Sequence, residues 1–342
     1  MKGLEIDREI RIMEVCGTHT MSILRSGIKR LLPNNIKLIS GPGCPVCVTS
    51  QGYIDAAIEL SKRKDIIIAT FGDMLNTPGT NGSLSVQKAL GMDIRVVYSP
   101  LEAVNIARKN PKKEVVFLAI GFETTAPTIA IAIKKAYIEN LENFSVFNTL
   151  KTMPEAIKAL ISDKDIKLDG IICPGHVCTI IGKKDFSFIS KELKIPSIIA
   201  GFEDQDIMAA IYLLVDMIRE NQSNLKNIYS RFVKYEGNKK AKEIINNVFR
   251  CSNSNWRGLG VIENSGLQIN NKYRDYDTET KFNINIKESK TSKECICGYI
   301  IQGKKSPENC KFFGGECTPS NPLGVCMVSR EGTCRIHYMY LN

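Results

Sequence analysis

Short β-branched apolar runs recur along the chain and alternate with segments whose apolar positions return every three or four residues. The runs at 37–40, 65–70, 94–99, 115–120, 145–148, 170–173 and 196–200 predict buried strands. Segments 53–62, 101–109, 128–140, 154–162 and 206–220 carry the helical period. Such alternation builds parallel sheets with helices on both faces. The expected fold is therefore α/β, with two Rossmann-like parallel-sheet domains facing a cleft, one over 1–114 and one over 115–221. After residue 222 the pattern changes to a Lys/Asn-rich stretch, a helix over 239–249, a Gly-rich stretch at 256–260 and a polar segment at 271–293 expected to include an exposed linker. A third unit is accordingly assigned to 222–342.

Unusual motifs follow directly on the strands. GPGCPVC (41–47) follows LIS, FGD (71–73) follows IIIAT, GFETTAP (121–127) follows VVFLAI, and GFED (201–204) follows SIIA, while CPGHVC (173–178) closes GIIC. Ligands of open α/β sheets bind beyond the carboxyl ends of the strands, so these motifs are expected to converge. GPGCPVC echoes CPGHVC and TFGD echoes AGFED, as if two similar units faced each other.

The composition, 43% hydrophobic and 24% charged over 342 residues, is that of an ordinary globular protein of more than one domain. No apolar run reaches the length of a bilayer span, and the first fifteen residues lack the apolar core of a secretory signal, which points to a cytoplasmic protein and no membrane partner. The net charge of +10 is spread rather than focused. With no helix-turn-helix, RRM signature or basic stripe, a nucleic-acid partner is not expected. Neither a phosphate-binding G-x-x-x-x-G-K-[ST] nor a G-x-G-x-x-G follows a strand, so ATP and NAD have no warrant.

Twelve cysteines against three histidines change the picture most. In a reducing compartment, clustered cysteines mean metal or redox chemistry. Six lie in the last 48 residues: Cys295, Cys297, Cys310, Cys317, Cys326 and Cys334. Zinc favours paired C-x2-4-C knuckles, whereas thiolates spread on loops suit a [4Fe–4S] cluster, with glycines such as Gly298, Gly303, Gly314 and Gly315 allowing close backbone approach. Cys295, Cys310, Cys317 and Cys334 are taken as the ligands, with Cys297 and Cys326 as alternates and structural zinc as the competing reading.

Cys44 and Cys47 form a C-x-x-C at a strand end, the spacing of a reversible disulfide or a metal-transfer dithiol. Cys16 and His19 pair a soft thiolate with an imidazole in a Gly/Thr turn. Glu123 offers a carboxylate at a helix start, as a supporting partner or proton carrier, against helix capping as the plain alternative. His176 sits in a Pro-Gly turn and could equally be a structural imidazole. Cys178 and Cys251 are assigned as buried or incidental thiols.

CGTHT (16–20), GPGCPVCVT (41–49), GFETTAP (121–127), PGHV (174–177), WRGLG (256–260) and the tail from Cys310 through CTP (317–319) to CMVSREGTC (326–334) together resemble the HypD family of [NiFe] hydrogenase maturation proteins. The likeness covers nearly the whole chain in order. It implies two α/β domains and a C-terminal iron–sulfur cluster domain. It also implies a redox-active assembly scaffold, rather than a conventional turnover enzyme, on which the Fe(CN)2CO unit is built. A HypC-type small chaperone would share the iron with Cys16, a HypE-type protein would deliver cyanide, and a [4Fe–4S] cluster would relay electrons to the Cys44–Cys47 dithiol. An iron–sulfur-dependent thiol–disulfide oxidoreductase is the competing function; it uses the same dithiol but has no need of Cys16 or His19.

Overall fold

A computed structural model describes residue 4 and residues 6–287 and 295–340 of the 342-residue chain. Among these residues eleven strands form three sheets. The first is wholly parallel, in the order β2 (Ile36–Ser40), β1 (Ile10–Glu14), β7 (Gly170–Cys173), β8 (Ser197–Ile199), β9 (Leu225–Asn227). The second, also parallel, runs β4 (Ile94–Val96), β3 (Ile66–Thr70), β5 (Glu114–Ala119), β6 (Phe144–Asn148). An antiparallel hairpin joins β10 (Phe249–Trp256) to β11 (Gly260–Ile269). The α/β parallel-sheet architecture expected from the alternation is present, and no described helix is long and apolar enough to cross a membrane.

The contiguous domain division needs correction. β3 pairs with β5, so a cut at 114/115 would divide one sheet. β1 pairs with β7 across some 158 residues, and β9 completes the first sheet from beyond residue 222. The second sheet is thus inserted within the first. Edge pairing in space, which sequence order does not report, decides membership.

The third unit is not one body either. The helix Lys239–Val248 packs on helix Ala126–Ile138 and strand β11 on helix Met153–Ile161, and Ile245, Val248, Leu267, Tyr273 and Tyr276 join one core with Val115 and Phe117 of the second sheet. The stretch at 271–287 is therefore not a free linker: Tyr276 donates to Ala136 O at 3.2 Å and Thr278 Oγ1 to Ser145 Oγ at 2.9 Å. Residues 288–293 of that expected linker lie outside the described residues.

Local chemistry explains the helix starts that aim the motifs. Ser50 Oγ accepts from Tyr53 N and Ser99 Oγ from Leu101 N, satisfying N–H groups that a helix start leaves free, and Pro45, Pro100 and Pro154 sit in first turns where no donor is missed. A single apolar core runs between the sheets, joining Ile68, Val116 and Leu118 to Ile171, Ile199 and the tail residues Ile300 and Met327. Trp256 plugs this core: it is fully buried, donates Nε1–H to Ser265 Oγ at 2.8 Å and stacks on Phe122 at 6.0 Å.

Trp256→Ala should cost about 3–5 kcal/mol, the usual range for emptying a buried aromatic site. Urea unfolding followed by far-UV circular dichroism checks this; a cost below about 1 kcal/mol would mean the site collapses without penalty.

Candidate functional site

The carboxyl ends of β1, β2, β7 and β8 lie side by side, and the motifs that follow them meet there. Cys16 leaves β1 and caps helix Gly17–Arg25. Its Sγ lies 4.0 Å from His176 Nδ1, delivered by the turn after β7. His19, one turn into the helix, is fully buried, and its Nε2 lies 2.9 Å from Gly201 O beyond β8. Phe202 stands between the two imidazoles, stacked on His19 at 4.5 Å and on His176 at 4.0 Å. Cys16, His19 and His176 are thus brought together as their strand-end positions suggested.

The GPGCPVC loop closes over Cys16. Gly43 packs so closely that a Cβ there would lie 2.6 Å from both Cys16 Cα and Cys16 N. Cys44 caps the short helix Pro45–Val48 and is disulfide-bonded to Cys47, with Cα atoms 5.2 Å apart. The Cys47 N–H also points at Cys44 Sγ, 3.2 Å away, a donor that would stabilise a thiolate there after reduction. TFGD and AGFED follow β3 and β8 of different sheets, but GPGCPVC and CPGHVC follow β2 and β7 of the same sheet, so the two echoes do not mark one pair of units. GPGCPVC and CPGHVC each turn a parallel strand into a helix start through the same Pro-Gly chemistry.

Burial sets the protonation states. Glu14, at the end of β1, accepts the Cys16 N–H at 3.1 Å and the Thr20 hydroxyl, yet burial pushes its carboxyl up to about 8. Cys16 is pushed up to about 12 by burial and then by the Glu331 carboxylate. Burial takes His19 down to about 4 and lowers His176. The site is dry and neutral, and a thiolate at Cys16 needs a metal or a proton acceptor to form.

Glu123 stands apart from this group. It holds the N–H of Met153 at 2.9 Å, its Oε2 has no partner, and burial lifts it to about 7. Its charge is felt by the buried thiol Cys178, as are those of Cys173 and Cys16. Of the two thiols assigned as buried or incidental, Cys178 is buried and Cys251 is exposed on β10.

The six tail cysteines line one small apolar cavity with Ile300, Phe313 and Met327. Among the described residues no three His, Cys, Asp or Glu side chains converge as one metal ion would require. In a cubane each thiolate binds its own iron, so sulfurs ringed around a cavity fit a cluster. Hydrogen bonds with Cys295 and Cys326, and then the Arg257 charge, hold the Cys297 thiol below its usual range. Of the glycines singled out from the sequence, Gly298 packs on Gly258 and Gly303 on Ile39 and Met13 rather than on a cysteine sulfur. The close approach is made by Gly324, where a Cβ would lie 2.5 Å from Cys295 Sγ.

Several residues of the site were not foreseen. Glu14 stands close to Cys16 in the sequence without a chemical signature of its own, and Phe202 belongs to a strand-end motif whose aromatic has no assigned task. Glu331 comes from the tail: Thr18 Oγ1 donates to its Oε1 at 3.3 Å, and a Cβ on Gly17 would lie 2.5 Å from its Cβ. A carboxyl closing a mostly apolar strand directly before the Cys16 motif is the signal for Glu14. For Glu331 there was none beyond its place in the tail motif.

The family model described as HypD, hydrogenase formation hypA family, matches residues 2–341. Hydrogenase maturation factor HypD2 of Bradyrhizobium diazoefficiens is 45% identical over 338 residues, covering 96% of this chain and 89% of that protein. Hydrogenase maturation factor HypD of Rhizobium leguminosarum is 44% identical over 341 residues, 97% of this chain and 89% of the relative. A putative hydrogenase expression/formation protein of Methanocaldococcus jannaschii is 43% identical over 336 residues, 98% and 93% of the two chains.

Two outcomes follow from the geometry. Gly43→Ala forces its methyl into the Cys16 backbone and should lower the melting temperature by several degrees, with Gly43→Ser no better, as read by calorimetry. Glu123, whose folded pKa of about 7 exceeds its ordinary 4.5, binds its proton more tightly when folded. The stability it contributes is full below 4.5 and is lost as pH rises toward 7. Wild type should therefore lose stability relative to Glu123→Gln across that window, and parallel denaturation curves for the two proteins would contradict it.

Proposed function

The chain belongs to the HypD family of hydrogenase maturation factors, and from that premise we propose that it is a cytoplasmic scaffold on which the Fe(CN)2CO unit of [NiFe] hydrogenase is assembled. The iron is cargo, held by Cys16 together with a thiolate from a HypC-type small chaperone, and cyanide comes from a HypE-type donor. Cys295, Cys310, Cys317 and Cys334 would hold a [4Fe–4S] cluster, which when bound supplies single electrons.

The observation that carries this reading is the position of the Cys44–Cys47 disulfide. On one side its loop is pressed against the Cys16 backbone through Gly43. On the other, helix Pro45–Val48 packs on the turn Val325–Met327, which bears Cys326 of the sulfur-lined cavity. Two electrons and two protons convert the disulfide to two thiols, so a dithiol placed between a sulfur cavity and Cys16 can carry reducing equivalents from one to the other.

The residues around Cys16 serve the iron step. His176 lies within reach of Sγ to accept its proton, and burial keeps both imidazoles neutral. Phe202 holds the rings in place and excludes water. Glu14 fixes the backbone N–H of Cys16 and the Thr20 hydroxyl, so the helix start stays formed whether or not iron is bound. A soft thiolate in an apolar pocket suits low-spin iron carrying cyanide and carbonyl. The oxidoreductase alternative leaves Cys16, His19 and His176 without a task.

Anaerobic co-purification with a HypC-type partner, read by infrared spectroscopy, tests the proposal. Wild type should show bands of iron-bound carbonyl and cyanide, Cys16→Ala should lose them, and the Cys44→Ser/Cys47→Ser double variant should fail to mature hydrogenase. Full maturation by the double variant would end the dithiol role, and undiminished bands in Cys16→Ala would end the iron role.

A further inference from the structure

Arg257 lies at the β10–β11 turn and is only 7% exposed. Its backbone N–H donates to Val48 O at 2.8 Å, its Nε to Thr49 O at 2.9 Å and its Nη1 to Gln51 Oε1 at 3.1 Å. All three acceptors are neutral, and all lie on the few residues that follow Cys47. Nη2 has no hydrogen-bond partner and is closed to solvent, and among the described residues no carboxylate pairs with the guanidinium.

A buried cation left without a countercharge is strongly disfavoured. Nη2 is closed to solvent, and the packing around it shows which charged group of the fold lies within its reach. Gly258 rests so closely on Gly298 that a Cβ there would lie 2.7 Å from Gly298 Cα, and the Gln302 side-chain amide donates to Gly258 O. The backbone at Arg257 is thereby stacked on the backbone that carries Cys297. Arg257, Cys295 and Cys297 also line one cavity.

We propose that Arg257 is the buried countercharge of the cysteine-ligated cluster and that its guanidinium raises the cluster's reduction potential. A cluster held by four thiolates gains one further negative charge when it takes up an electron, so a nearby buried cation stabilises the reduced form more than the oxidised one. Arg257 is a positioning residue whose charge favours electron uptake beside the very segment, residues 48–51, that follows the dithiol. The inference rests on the cluster reading above.

The test is a redox titration of the full chain, reconstituted anaerobically with iron and sulfide and followed by the EPR signal of the reduced cluster. Arg257→Gln removes the charge, and Arg257→Lys keeps it while giving up the fork of hydrogen bonds. Gln51→Glu leaves the arginine in place but gives it a carboxylate partner, and serves on its own where Arg257→Gln does not fold. Arg257→Gln and Gln51→Glu should both move the midpoint potential to more negative values, with Arg257→Lys close to wild type. Unshifted potentials in Arg257→Gln and Gln51→Glu, or a shift in Arg257→Lys as large as in Arg257→Gln, overturn the role of Arg257 alone. A wild-type chain that retains no iron and sulfide overturns the cluster reading and the inference with it.

Discussion

Strand β1 hydrogen-bonds in parallel to β2 on one side and β7 on the other, and its register sets Glu14 opposite Ser40 and Ile172. With three strands ending at one level, the next residues of each chain segment have only one place to go. Cys16, the GPGCPVC loop and the PGHV turn are therefore neighbours because of backbone pairing, before any side chain is considered. A slip of one residue in β1 would turn Glu14 to the opposite face and carry Cys16 away from both loops. Much of the Cys16 site is a consequence of that register.

Desolvation is the second constraint, and it acts on the groups that the register collects. Glu14, His19, Cys16 and Cys178 are all nearly excluded from water, and in each case burial is the largest influence on the proton. A neutral, apolar, sulfur-bearing chamber cannot hold a charge cheaply, so chemistry there must arrive with its own compensation. A metal binding a thiolate does this, since the cation replaces the proton. The disulfide of Cys44 and Cys47 is likewise uncharged until reduced. The folded state thus keeps Glu14, Cys16, His19 and Cys178 in their neutral forms, which makes this part of the interior compatible with stability.

Much of this was legible in the sequence, for a reason that also explains the failures. The strands at 170–173 and 196–200 and the helices at 53–62 and 101–109 stand close to the observed elements because buried parallel strands are continuous apolar runs and the helices between them keep a clean period. β1 was missed since Arg11 and Glu14 break its apolar run, yet it is a central strand of the first sheet. β9 was missed because three residues, Leu225–Asn227, carry too little pattern to be told from a loop. Those two strands tie the ends of the first sheet together, so losing them turned an inserted domain into two consecutive ones. The cysteine and histidine motifs were legible by residue type, whereas Phe202, Glu14 and Glu331 became partners only through folding, from types that usually have blander roles.

The tail joins both halves of the molecule. Ser329 donates to Asp73 at the end of β3 at 2.8 Å, Glu331 meets the helix start at Cys16, and the turn at Cys326 packs on the dithiol helix. Three contacts from one short cysteine-bearing segment thus reach the second sheet, the first sheet and the redox loop. If sulfur ligation of a cluster orders that segment, as small metal-nucleated units are ordered by their metal, then assembly of the electron source and closure of the Cys16 site are the same folding event. Such coupling would give a physical reason to carry a cluster on the chain rather than on a separate donor: a chain without the cluster would also lack the carboxylate and backbone that wall in Cys16. The site would then be complete only when it could be reduced.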